Sequence, residues 1–262
     1  MQASVTSDAA LASIIAIYLV FTAISGARDY KKLAAATNPE QRVSFYRKWG
    51  AELILLTVGG VAALLFTGRG ADLMAFPRAL APLHHFISQP IAAIVFWLCV
   101  SVFCVLMAVS TITVMRLAPN EANAARARRI LTATPMLTRD RRERAWGTVM
   151  SLCAGAGEET VFRLLLPIVL ISLTHSVMLA VLTSIAAFGI GHVYQGLAGV
   201  ASTAAAGALM FGVYAATQSL WLVAAFHAIV DLRSVVHLGW LLQELERNGS
   251  GTGADDVADP AR

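Results

Sequence analysis

The chain has 262 residues, of which 57% are hydrophobic and 14% charged, with a mean hydropathy of +0.67. An ordinary soluble domain carries about 25% charged residues, so a water-soluble globular fold is excluded and a polytopic membrane protein is expected. The net charge of +4 is not a nucleic-acid footprint, because the basic residues gather in loops between apolar stretches.

In chain order, seven apolar windows reach membrane-spanning length: 9–26, 50–67, 90–115, 147–173, 176–193, 197–216 and 219–242. They predict an all-α transmembrane bundle of about seven spans. No Lys or Arg precedes the first window, and the first basic residue is Arg28. A secretory signal begins with a basic segment, so Leu11–Ser25 is expected to be a retained membrane helix. The loop 27–49 holds six Lys and Arg residues and the segment 116–145 holds eight, against two in 68–89. Basic loops stay on the cytoplasmic side, which predicts an external amino terminus and an internal carboxyl terminus.

Within the second basic segment, residues 123–131 fit either a short interfacial helix on anionic lipid or a solvated loop. The sixth window carries Ala204, Ala208 and Gly212 four residues apart, a small-residue stripe that suits close helix packing. Cys99, Cys104 and Cys153 lie in apolar windows and are expected to pack; no CxxC pair is present. The organisation is read as 1–146, three membrane helices with basic loops; 147–242, a core of four helices; and 243–262, a polar tail expected to be disordered.

The fourth window contains Glu158, Glu159 and Arg163. Asp or Arg at the centre of a membrane helix costs roughly 2.5–3.5 kcal/mol even on lenient insertion scales, so such a cluster implies use. Residues four apart share a helix face, which pairs Glu159 with Arg163. Glu158 is rotated by about 100° and is left free to titrate. Pro167, one turn beyond Arg163, lacks a backbone N–H and is expected to kink this helix. The fifth window adds Phe188 and His192, flanked by Gly189 and Gly191, which would let backbone approach closely; the seventh adds His227 and Asp231 on one face. A buried salt-bridge network and structural histidines would account for each item taken alone. His84, His85, His175 and His237, with Glu52, Asp72 and the tail acids, are expected to be solvated or interfacial.

These segments resemble one family. Glu158-Glu159-Thr-Val-Phe-Arg163 is similar to the EExxxR motif of the CPBP family, the CAAX-protease and bacteriocin-processing (Abi) proteins. Phe188-Gly-Ile-Gly-His192 resembles its FxxxH motif, and His227-Ala-Ile-Val-Asp231 its HxxxB motif, with B being Asn or Asp. The three occur in family order over about 147–242, and 1–145 carry no comparable signature. The resemblance implies an intramembrane glutamic endopeptidase related to the CAAX prenyl proteases, in a family that often has eight spans. It would act on a membrane-associated or lipidated peptide or protein among membrane lipids, with no nucleic acid partner. It implies Glu158 as the base that activates water and His192 as a holder of that water. His227 and Asp231 would stabilise the oxyanion, with Glu159, Arg163 and Phe188 in support. Prenyl-protein proteases place Asn where this chain has Asp231, and an ionised Asp only accepts hydrogen bonds; Asp231 would have to stay protonated or else orient His227.

No cofactor and no metal are expected. HExxH and GxGD are absent, and Gly249-Ser250-Gly251 lies in a polar segment, unlike a rhomboid serine. A non-catalytic scaffold or immunity protein of the same fold is the alternative reading. A proton-coupled transporter would call for inverted repeats that are not evident.

Overall fold

The computed structural model describes the backbone of residues 2–251 and the side chains of residues 6–250. Among these the chain is helical and contains no strand. The elements are α1 (Gln2–Ala34), α2 (Pro39–Phe66), α3 (Ala81–Ile87), α4 (Pro90–Met115), α5 (Glu121–Ala133), α6 (Arg141–Glu159), α7 (Leu166–Thr174), α8 (Val177–Gly191), α9 (Gly196–Thr217), α10 (Leu220–Asp231) and α11 (Leu238–Gly251). A π-helical turn, Thr160–Leu165, joins α6 to α7, and a second, Leu232–His237, joins α10 to α11. Long helical rods therefore run back and forth between two ends of one bundle.

Five of the rods are long and apolar enough to cross a bilayer; α4, the most apolar, has a mean hydropathy of 2.8 and no buried residue. Exposed Ile, Leu and Val side chains cover α1, α2 and α4, the surface expected where lipid rather than water is the solvent. Two of the seven expected spans do not meet the same tests. The rod from α6 through α7 begins with four charged residues within Arg141–Arg144, and α8 has 15 residues. Burial is concentrated in the first rod between Thr160 and Val169, whereas α8 also presents Met178, Leu179, Leu182 and Ile190 at the surface of the bundle.

Helix ends follow local chemistry. Asn38, Asn120, Asp140, Ser176 and Ser219 each cap a following helix by accepting a backbone N–H. The reversals α7–α8 and α9–α10 are built alike: Thr174-His175-Ser176 and Thr217-Gln218-Ser219 each place the middle residue at φ 55° and cap the next helix with the serine. His175 is thus a left-handed helix terminator. His84, expected in solvent, bonds through Nδ1 to the Ala215 carbonyl at 2.8 Å and closes the end of α9.

At the other end, Arg42 and Glu143 form a buried bidentate pair at 2.8 and 3.1 Å. Arg42 Nη2 also donates to the Pro135 and Leu137 carbonyls, and the Tyr46 hydroxyl to that of Met136. The two basic segments are thereby tied together at one end of the bundle. The 123–131 run is helical within α5, but neither lipid nor water covers its apolar face. Ala127 and Leu131 pack on Leu242 and Leu245 of α11, because α11 continues the leucine spacing beyond the membrane window. For the same reason the tail expected to be disordered from 243 is helical through Gly251; its remainder lies outside the described residues. Cys99 and Cys104 are exposed on α4 rather than packed, and Cys153 is half-buried.

Close crossings depend on glycine. A Cβ on Gly155 would collide with the Ala224 carbonyl of α10, and one on Gly157 would lie 2.8 Å from the Leu53 carbonyl of α2. Gly189 faces Val200 and Ala204 of α9 at similar distances, whereas Gly191 opens on empty space. The expected stripe on α9 divides its work: Ala204 meets α8, Gly212 receives the Phe96 ring of α4, and Ala208 is exposed.

Candidate active site

Where α6 ends, its last two residues point in different directions. Glu159 is fully buried: its Oε2 lies 3.0 Å from Arg163 Nε, and its Oε1 accepts from His227 Nδ1 at 2.7 Å. The arginine contact lacks hydrogen-bond alignment, and Arg163 Nη2 has no protein partner. The guanidinium lies 4.4 Å from the Phe188 ring centroid and 5.8 Å from that of Phe211. Its charge is therefore held by one carboxylate and two aromatic faces.

Glu158 opens instead on a cavity of ≈ 380 Å³, lined also by His192, His227, Asp231, Tyr194 and Ser234. With Nδ1 of His227 committed to Glu159, Nε2 faces this space, 3.6 Å from Glu158 Oε2 and 3.7 Å from Asp231 Oδ2. Asp231 lies on the cavity side of the imidazole and does not hold its far nitrogen. Glu159 does that.

His192 terminates α8, and its own N–H bonds to Gly189. The Phe188 carbonyl is thereby deprived of its helical donor and bonds instead to His192 Nδ1 at 2.9 Å. This leaves Nε2 of His192 for the cavity. The Phe188 ring packs edge-on against His227 at 6.0 Å and against Phe162 at 5.3 Å. One phenylalanine thus joins the three motifs.

The expected kink is a widened turn. Leu166 N–H bonds back five residues to Val161, the π pattern found often at functional sites. In that pattern the next donor should serve Phe162, but it is Pro167, which has no N–H. The buried Ser184 hydroxyl of α8 donates to the Phe162 carbonyl in its place. The second π turn begins just after Asp231, and its carbonyls at Val235 and Val236 accept from Thr138.

Sequence reasoning missed much of the wall. Tyr18, Thr22 and Ser25 of α1, Trp49 and Glu52 of α2, Met136 and Tyr194 also line the cavity. Glu52 is therefore not merely solvated; it lies 3.6 Å from Lys48 one turn away. An acid inside an apolar window was the available signal. Among the described residues no three His, Cys, Asp or Glu side chains converge in a way that could hold a metal ion.

Fold and site define a helical integral membrane protein with a carboxylate and imidazole cluster inside the bundle. Residues 141–233 match the family model described as Type II CAAX prenyl endopeptidase Rce1-like. That segment contains all three motifs, and the match bears out the resemblance drawn from them: the core of this chain is similar to a membrane protease family. No curated protein and no solved structure matches the chain.

Proposed function

We propose that the chain is an intramembrane glutamic endopeptidase in which Glu158 activates water against a peptide carbonyl. The observation that carries this reading is the division between the adjacent carboxylates. Glu159 is buried and committed to Arg163 and His227, whereas Glu158 faces a cavity with His227 Nε2 3.6 Å away and, among the described residues, no hydrogen bond.

The chemistry needs no covalent intermediate. Glu158 takes a proton from water as the water oxygen bonds to the carbonyl carbon, and returns it to the leaving amine as the C–N bond breaks. His192 Nε2, an acceptor while Nδ1 donates to Phe188, suits a second bond from the same water. His227 Nε2, in the imidazolium form, suits donation to the oxyanion. Asp231 Oδ2 beside it would donate only when protonated. The substrate class is a membrane-associated or lipidated peptide or protein, in keeping with the prenyl endopeptidase name of the matched family.

For orientation, the reading is an external amino terminus, with basic loops and carboxyl terminus in the cytoplasm. The Arg42–Glu143 pair supports it by holding both basic segments at one end, and the charge asymmetry gives that end its side.

The test compares new peptide termini in native membrane extract incubated with purified wild-type protein or Glu158→Gln. Termini made only by the wild type are the expected result. Identical termini from both folded proteins would overturn the mechanism and favour a scaffold.

A further inference from the structure

We infer that a second pocket, between the first turn of α6 and the π turn after α10, binds the phosphate-bearing headgroup of an anionic phospholipid. Arg144, Leu232, Arg233, Val236, His237 and Trp240 line it. Two of these are cationic and none is acidic.

The two arginines lack counter-charges. Arg144 donates to the neutral Gln243 Oε1 at 3.3 Å. Arg233 donates to Thr111 Oγ1 at 3.0 Å, to the Met107 carbonyl at 3.3 Å and to Ser110 Oγ, all neutral acceptors on α4. Among the described residues neither approaches a carboxylate, whereas Arg42, Arg69, Arg128, Arg142, Arg163 and Arg247 each do. They are also brought together: Gly147, one turn after Arg144, lies so close to Val236 that a Cβ there would be 3.3 Å from its methyl. A concave site holding two unneutralised guanidinium groups is built for an anion with several acceptor oxygens.

The surroundings point to lipid as the source. Trp240 is 39% exposed and its ring lies 5.6 Å from that of His237. Indole at a membrane–water boundary sits at headgroup depth, and basic pockets between helices on the cytoplasmic side hold anionic headgroups. Arg233 reaches across to α4, a helix that carries no fully buried residue. Leu232 and Val236 offer the apolar wall that a glycerol backbone and the first acyl carbons need.

The test uses the full chain in detergent with equimolar phosphatidylglycerol and phosphatidylcholine, counting retained lipid by native mass spectrometry. Preferential retention of phosphatidylglycerol is expected. Arg144→Gln, which loses the hydrogen bond to Gln243 and leaves the bonds of Arg233 to α4 in place, should lower it about fivefold, the effect of one basic charge at a membrane surface. Equal retention of the two lipids, or undiminished retention in folded Arg144→Gln, would overturn the inference. Inorganic phosphate that displaced the lipid as well as short-chain phosphatidylglycerol does would replace the headgroup by a free anion. A further measurement needs no variant: the preference should shrink as ionic strength rises, and a salt-independent preference would also count against the site.

Discussion

Glu159 Oε1 accepts a 2.7 Å hydrogen bond from Nδ1 of His227, joining α6 to α10 just where Gly155 lets the two helices touch. One bond fixes which nitrogen of His227 meets the cavity. The same carboxylate balances Arg163, so it serves two helices at once.

Glu159→Gln keeps an acceptor for His227 but leaves Arg163 as a buried cation without a counter-charge. Breaking one side of a buried pair costs about 3–5 kcal/mol, so this variant should unfold at clearly lower denaturant in micelles. A midpoint equal to wild type would show that the aromatic faces suffice.

Glu158→Gln should behave in the opposite way. The side chain faces the cavity and supports no packed network, so the thermal midpoint should stay at the wild-type value while peptide cleavage disappears. The contrast between adjacent positions separates chemistry from folding.

Asp231→Asn gives the cavity a permanent N–H donor beside His227 Nε2 without changing volume. Turnover at or above wild type is expected, since Glu159 already orients His227. A loss as deep as that of Glu158→Gln would make the carboxyl itself part of the proton path.

Ser184→Ala removes the donor to the Phe162 carbonyl and should destabilise by about 1–3 kcal/mol, the cost of stranding a buried polar group. Pro167→Ala restores a backbone N–H, so in that background the serine should matter less. A double-mutant cycle with no coupling would mean that the proline does not create the vacancy.

Gly155→Ala should cost about 1–3 kcal/mol through overpacking, because its Cβ would meet the Ala224 carbonyl. Gly59, on the same bundle, has nothing within 4 Å of a Cβ. Gly59→Ala should gain about 0.5–1 kcal/mol from helix propensity. Equal effects at the two sites, read by unfolding in the same detergent, would contradict the crossing.

The motif residues were legible because charge in an apolar helix is costly enough to be conspicuous, and because four-residue spacing fixes a shared face. Glu159 with Arg163 and His227 with Asp231 followed from that alone, and the all-α membrane class followed from composition and the length of the apolar windows. The hairpin reversals share Thr-x-Ser at 174–176 and 217–219, but nothing in periodicity draws attention to that pairing, and only the structure shows its use. What joins separate helices is a different matter. That Glu159 rather than Asp231 holds His227, that Ser184 replaces the missing donor of Pro167, and that α1 and α2 complete the cavity all depend on which faces meet across the bundle. Local rules set each helix and its caps; the crossings are chosen by glycine contacts and buried polar groups far apart in the chain, and only the folded arrangement satisfies them together.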